Sequence, residues 1–518
     1  MPAGVGSYTG GGNDVLQAMI EKVRPKLEEW FETTNQLLSR FIKKSSEVEK
    51  VSNKLYRIPV QIYPGGIYQK YNADNGAMGA GSAMLIDKLV AGYFFSNYCV
   101  SLSDAEMDTT ATPDQSTVNV FKKQMSKAME EIQVYDDIFF HTDGTGAVTD
   151  YATGASATST WTSPTGQASC TTYTFAASTD TIGINKLREG MAVQVWAGMS
   201  TTNSDPKIGI NVSNTSAYAP ASPRVYNTTS GPNPGPRSTT IQGGSSVSGQ
   251  PLIIHHINYS TKTVYLLGVV ASAATGDFLT IPGVGTYGPA VPTTINSAWP
   301  TVQASFVSGT GMGWLTGDSF RHGYPYANDA NTTDYFLTQS RATYPNGLQP
   351  AYVDGAGTAL VSQHVLMLLD QLYQKRSPDI IEGLMGVAHN AQRTQYFNSG
   401  IAIANWMRTE TTKPMLDIMP SNTGYGDTFQ IAGVNFMISK RQARDRIDLL
   451  NPSKWGRANL YDTRFKNVGG KTIFENRDPT SGQILAGQSF YVIQAYDFVC
   501  FDPGGQAYAD GLTIPTGY

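Results

Sequence analysis

His255 and His256 are adjacent in a chain that holds 6 histidines, and neighbouring imidazoles are the first place to look for a metal. The surrounding Leu252-Ile-Ile-His-His-Ile-Asn-Tyr-Ser-Thr-Lys-Thr-Val-Tyr-Leu-Leu reads as a β-hairpin. Adjacent side chains on a strand point to opposite faces, so the two rings are not expected to share one ion. His141, His322, His364 and His389 are scattered singly and read as capped or partly buried histidines. Gly283-Val-Gly285-Thr-Tyr-Gly288 spells a dinucleotide-binding string, but Pro289 follows and no helical pattern ensues to hold a pyrophosphate, so it reads as a turn. There is no Gly-x-Ser-x-Gly elbow, no His-Glu-x-x-His and no Walker lysine. The catalytic, metal and cofactor sets therefore stay empty, and the expectation is a protein that is not an enzyme and carries no cofactor.

Charge offers two further candidates. Lys440, Arg441, Arg444 and Arg446, followed by Lys454, Arg457, Arg464 and Lys466, form one basic cluster that Asp445, Asp448 and Asp462 dilute. The plain reading is a set of surface salt bridges. The sharper one is contact with a packaged polyanion or an acidic partner surface. Asp136 and Asp137 form a carboxylate pair expected on a solvated helix surface, or as the acid ends of an intersubunit salt bridge.

The elements that must carry these residues are legible from periodicity. Val118, Phe121, Met125, Ala128, Ile132, Tyr135 and Phe139 recur at steps of three and four, which predicts a spine helix over 116–141, about 38 Å long, with one apolar stripe as its core face. Residues 13–50 read as an amphipathic helical arm kinked at Pro25, with Trp30 and Phe31 on an apolar face expected to bury against a neighbouring element or subunit. Its polar face mixes acids with lysines, which argues against a lipid surface. Over 54–105 the period changes to two: Tyr56, Ile58, Val60 and Ile62 alternate with Arg57, Pro59 and Gln61, and a return segment runs from Lys88 through Phe94 and Phe95 to Leu102. The tip between them carries five glycines and Lys70. A two-stranded ribbon cannot close its own core, so Ile58, Val60, Ile62, Phe94 and Phe95 are expected to bury against another subunit.

Composition separates the middle from the rest. Only 13 of the 179 residues in 142–320 are charged, against 31 of the 128 in 14–141, which marks 151–320 as an inserted antiparallel β-barrel-like domain with a long Ser/Gly/Pro loop over 213–248. After it, 358–376 and 386–408 read as helices, and 428–438, 471–474 and 490–501 as strands, an α+β lobe. At 518 residues several lobes are expected, and the net charge of -4 supplies no overall attraction for nucleic acid. Cys99, Cys170 and Cys500 suit reduced thiols rather than a disulfide framework. The chain start lacks a signal-peptide pattern and no window reaches 18 uninterrupted apolar residues, so no membrane role is expected.

A helical arm, a Gly-tipped hairpin, a spine helix and a late α+β lobe closing with strands together resemble the major capsid proteins of tailed bacteriophages, whose fold encapsulin shells share. Phe121-Lys-Lys-Gln-Met-Ser-Lys-Ala-Met-Glu-Glu-Ile leading into Asp143-Gly-Thr-Gly is similar to that family's spine helix and its exit. Ile431-Ala-Gly-Val-Asn-Phe-Met-Ile-Ser-Lys and Leu449-Leu-Asn-Pro-Ser-Lys-Trp resemble its late strand and the loop that completes the peripheral lobe. The resemblance covers most of 13–150 and 330–518, and the insertion departs from the minimal pattern.

It implies an arm over 1–53, an extended hairpin over 54–112 and a spine helix over 113–150. After the insertion it implies an axial-type lobe over 321–470 and terminal strands over 471–518 that return to the peripheral domain. It also implies pentamers and hexamers in an icosahedral shell, assembled in a host cytoplasm around double-stranded DNA without sequence-specific binding, with portal, scaffold and decoration proteins as partners. Some members crosslink a hairpin lysine to a neighbour's asparagine, and Lys70 lies near the tip; no partner residue is legible. The alternatives are an encapsulin-like compartment, another phage structural part such as a tail or decoration protein, and a β-rich hydrolase.

Overall fold

The computed structural model describes residues 49–50, 55–63, 65, 66, 68, 70, 81, 83–104, 120–141, 148, 149, 152–159, 170–175, 184–197, 235, 236, 238–240, 247, 248, 250–282, 335, 336, 339, 340, 344–376, 383–408, 428–477 and 484–515. The expected arm up to residue 48, with Trp30 and Phe31, Val118 at the head of the expected stripe, and the Gly283–Gly288 string lie outside the described residues. The last two arm residues, Glu49–Lys50, are strand rather than helix and pair with Arg57 and Tyr56.

The long helix spans Val120–Phe140. It does not bury one stripe. Ala128 and Ile132 pack with Phe490 and Val492, with Met125 partly buried beside them. At 100° per residue Val134 and Ile138 point about 100–140° away from the mean direction of Ala128 and Ile132, and they enter the core of the insertion, where Tyr135 packs half-buried. Phe140 enters a third cluster and meets the Trp455 ring edge-on at 5.2 Å. A single-stripe reading fails here because the helix is wrapped by three cores, each using a different arc. Phe121 and Phe139 lie on the helix, but their side chains are outside the described set.

The first of those cores lies under an antiparallel sheet centred on the 17-residue strand Ile484–Cys500. Trp455–Phe465 and Ile473–Arg477 pair along one side of it and Phe94–Leu102 along the other. Trp455–Phe465 is an 11-residue strand to which the sequence reading assigns no element. Its register shifts at Asn459/Tyr461 and Tyr461/Arg464 break the two-residue period that would have revealed it.

The hairpin pairs Leu55–Tyr63 with Leu85–Gly92. The return segment is therefore two strands. It leaves the hairpin at Gly92, and after Tyr93 it joins the sheet of the long strand at Phe94.

In the insertion, antiparallel pairing runs in the order Phe278–Thr280, Ala192–Ala197, Leu252–Asn258, Thr263–Leu267, Cys170–Phe175, Ala152–Ser159. The two ends meet: Val148 N–H donates to Leu279 O at 2.9 Å, Ala152 N–H to Asp277 O at 2.7 Å, and Gly276 N–H to Ala152 O at 2.9 Å. The sheet thus closes on itself around Tyr173, Phe175, Val193, Val195, Ile254, Val264 and Leu266.

The late lobe holds a six-stranded mixed sheet in the order Ala351–Asp354, Ala507–Asp510, Ile447–Leu450, Met385–Ala388, Val434–Ile438, Thr428–Ile431. Val365, Leu368 and Leu372 of helix Ser362–Lys375 cover it. Two expectations change. Gly386–Ala388 is strand rather than helix, and the helix starts at Asn390. A Cβ on Gly386 would sit 2.3 Å from the Phe436 ring, so the glycine lets that ring lie on the backbone. The lobe boundary also moves, because Trp455 onward already belongs to the other sheet while Ala507–Asp510 returns to this one.

Candidate functional site

The candidate site is a surface, and the hairpin defines it. At its base the chain supplies its own cover: Tyr56 and Ile58 are buried in a cluster with Tyr93, Phe140, Leu450, Trp455 and Tyr496, and Val60 packs partly buried against it. Tyr56 O–H donates to Asp497 Oδ2 at 2.6 Å, and burial, reinforced by that carboxylate, raises the phenol pKa well above its ordinary value. Tyr344 O–H donates to Asp87 Oδ2 at 3.0 Å and ties the second strand to the late lobe. The expectation that Ile58 and Val60 need another subunit is thereby corrected, since Phe140 and Trp455 supply the missing core.

Farther out the cover ends. Ile62 is half-buried, Lys70 is exposed, and Tyr68 is 87% exposed. Met84, Leu85 and Ile86 are 50%, 42% and 55% exposed. Leu85 and Ile86 are successive residues of the strand that Met84 precedes, so both faces of the ribbon are bare there. Phe95, 63% exposed, lies 6.3 Å from the Tyr461 ring on the outer face of the long-strand sheet. The Arg464 guanidinium covers the Tyr461 ring at 4.6 Å. The Phe94 side chain is outside the described set.

The basic cluster lies elsewhere than expected. Lys440 is exposed, but Arg441, Arg444 and Arg446 are at most 3% exposed. Arg441 pairs with Asp137, itself 1% exposed, at the end of the long helix. Arg446 donates to Asp448 from Nη2 at 2.7 Å and lies over the Tyr508 ring at 4.4 Å. Arg444 Nη2 donates to Asn185 Oδ1 of the insertion at 3.4 Å. Surface salt bridges and a polyanion contact by these three arginines are both corrected: charges taken out of water must be met inside the protein, and here acids and amides meet them. Of the Asp136–Asp137 pair, Asp137 is buried rather than solvated, while Asp136 is half-buried and accepts from Gln494 Nε2 at 2.7 Å.

Two histidines join this junction. His141 Nδ1 lies 2.8 Å from Asp137 O and its Nε2 lies 2.8 Å from Ser439 Oγ, a pairing of long helix and late lobe. Burial pushes His141 down to about 4, against the pull of Asp137. His389 Nδ1 accepts Ala391 N–H at 3.1 Å, and its Nε2 faces the Asn185 amide at 3.3 Å. Burial and then Arg444 push His389 down to about 3.

His255 and His256 do not take opposite faces. The register shifts between Ile254 and His256, and both rings lie partly exposed between buried Ile254 and Ile257. His256 Nδ1 lies 2.8 Å from Glu189 Oε1. Among the described residues no group of three or more His, Cys, Asp or Glu is placed to hold a metal, and no helix is long and apolar enough to cross a membrane. Interleaved signs at Arg441, Arg444, Asp445, Arg446 and Asp448 show local neutralisation, but their burial depends on Asp137 and Asn185, which are distant in sequence.

No family model matches the chain, and no curated protein matches it. Solved structures do. The chain is similar to one in the "Cyanophage A-1(L) capsid asymmetric unit" at 10% identity, covering 95% of this chain and 97% of that one, with a TM-score of 0.45. It is similar at 8% identity to the "Capsid of native GTA particle", covering 94% and 92% with a TM-score of 0.37. A third is the "Asymmetric unit of bacteriophage PhiM1 mature capsid", at 7% identity, covering 95% and 91% with a TM-score of 0.37. All three are capsid structures.

Proposed function

We propose that this chain is the major capsid protein of a tailed phage, which self-assembles as pentamers and hexamers into an icosahedral shell around double-stranded DNA. The observation that carries the reading is the hairpin. Its base is locked into the subunit by Tyr56 and Ile58, while Tyr68, Met84, Leu85 and Ile86 project bare apolar surface beyond any core of their own. Burying a large apolar side chain contributes about 1.5–3 kcal/mol, so a neighbour that covers these residues gains several kcal/mol, repeated at every copy in a closed shell. The ordered resemblance of arm, hairpin, spine helix and late lobe supports the same conclusion.

The internal use of Arg441, Arg444 and Arg446 fits a shell that encloses DNA without reading it. Portal, scaffold and decoration proteins are the further partners on this reading, and the virion is the location. The test is to express the full chain and image it by negative-stain microscopy. Closed particles of uniform diameter are expected; a monodisperse monomer with no assembled form contradicts the proposal.

A further inference from the structure

We propose that Gln371 closes an edge of the late lobe's sheet against strand addition by a second copy of this chain. Among the described residues Ala351–Asp354 is an end strand of that sheet, paired in parallel with Ala507–Asp510 alone. Ala351 N–H donates to Gln506 O at 3.0 Å and Gly355 N–H to Asp510 O at 2.7 Å, so the odd-numbered backbone groups face the inner neighbour. Backbone groups alternate sides along a strand, which turns those of Tyr352 and Asp354 to the outside. There Tyr352 meets a side chain in place of a strand: its N–H donates to Gln371 Oε1 at 3.0 Å, and its O accepts from Gln371 Nε2 at 3.0 Å. One carboxamide supplies the acceptor and the donor that a further strand would bring.

The closure extends along the strand. Lys375, one turn after Gln371 on helix Ser362–Lys375, donates from Nζ to Gln349 O at 3.4 Å, and Pro350 has no N–H to offer. At the other end Asp354 is exposed, and a carboxylate at a sheet edge opposes an incoming strand. Val365, Leu368 and Leu372 hold the helix in place for this, buried in one cluster with Ala351 and Val353 of the edge strand. Tyr352 and Val353 are residues that favour extended backbone, and an uncapped edge of such residues is a template for another chain. Copies of one subunit present the same edge to one another, and on the shell reading they do so at high local concentration. Contacts between late lobes across this edge then run through side chains and not through a shared sheet. The closure itself does not require a shell.

The test compares the full natural chain with Gln371→Met and Gln371→Lys by hydrogen exchange, thioflavin T fluorescence and negative-stain microscopy. In the natural chain the Tyr352 amide is expected to be protected. In both variants it should exchange about tenfold faster, the equivalent of one hydrogen bond, while 447–450 stays protected. Gln371→Met should in addition form thioflavin-positive ribbons or fibres whose amount rises with protein concentration. Gln371→Lys lacks the same acceptor for Tyr352 N–H but sets a charge on the edge, and should stay as free of them as the natural chain. Lost stability alone would act in both variants alike, so equal association by the two overturns the proposal. So does a Tyr352 amide that exchanges freely in the natural chain, or a Gln371→Met chain that opens Tyr352 without associating. Gln371→Asn, a methylene too short to reach both groups, serves where Gln371→Met does not fold. Closed thioflavin-negative particles report on the shell reading separately, so its failure leaves this comparison intact.

Discussion

Replacing Arg441 with Met removes the guanidinium that meets Asp137 and leaves a carboxylate 1% exposed at the end of the long helix. Breaking one side of a buried ion pair typically costs about 3–5 kcal/mol, because the remaining charge keeps its desolvation penalty and loses its compensation. That is a large share of the roughly 5–15 kcal/mol that holds a domain folded. The partner substitution predicts the opposite. Asp137 is flanked by Val134 and Ile138, both buried in the insertion core, so Asp137→Leu together with Arg441→Met turns the site apolar and should recover most of the loss. Urea unfolding of the purified subunit, followed by circular dichroism, gives the three differences of the cycle. An Arg441→Met chain within about 1 kcal/mol of the natural one, or a double variant as unstable as the two losses summed, would refute the buried-pair reasoning.

Two further outcomes follow from the same geometry. Tyr56→Phe leaves Asp497 buried without its phenol donor and should cost about 1–3 kcal/mol, read as a lower urea midpoint; an unchanged midpoint would show that the 2.6 Å bond adds nothing. His141 has a folded pKa of about 4, below its unfolded value near 6.5, so the unfolded chain binds more protons between those values. Its contribution is full above pH 6.5 and is lost as pH falls toward 4, about 2 kcal/mol by pH 5, and His141→Gln should flatten the stability profile over that window. A profile of unchanged slope in that variant would assign the acid sensitivity to other groups.

Much of the architecture is readable from local pattern, because periodicity reports which residues a strand or helix buries. The hairpin strands, the closing of the insertion around Val264 and Leu266, and the helix Ser362–Lys375 all carry such periods. What escapes is set by contacts distant in sequence. Phe140 and Ile138 bury on arcs that a one-stripe helix would leave wet, since the partners, Trp455 and the insertion strands, are recruited from far along the chain. Trp455–Phe465 is hidden by its own bulges. The arginines look solvent-facing because basic side chains usually are, and the partner that most reverses that for Arg441, Asp137, lies 304 residues away in sequence. The hairpin shows the split within one element: its base finds a core inside the chain, and its outer half does not.

The most direct measurement is to replace 66–84 with a short Gly/Ser turn, express that chain beside the natural one, and image both by negative-stain microscopy. The replacement removes Tyr68 and Met84 and the reach of the ribbon, while Tyr56, Ile58 and the anchored base remain. The shell account predicts closed particles from the natural chain, and folded subunits or isolated capsomers from the shortened one. Closed particles of normal size from the shortened chain would contradict it.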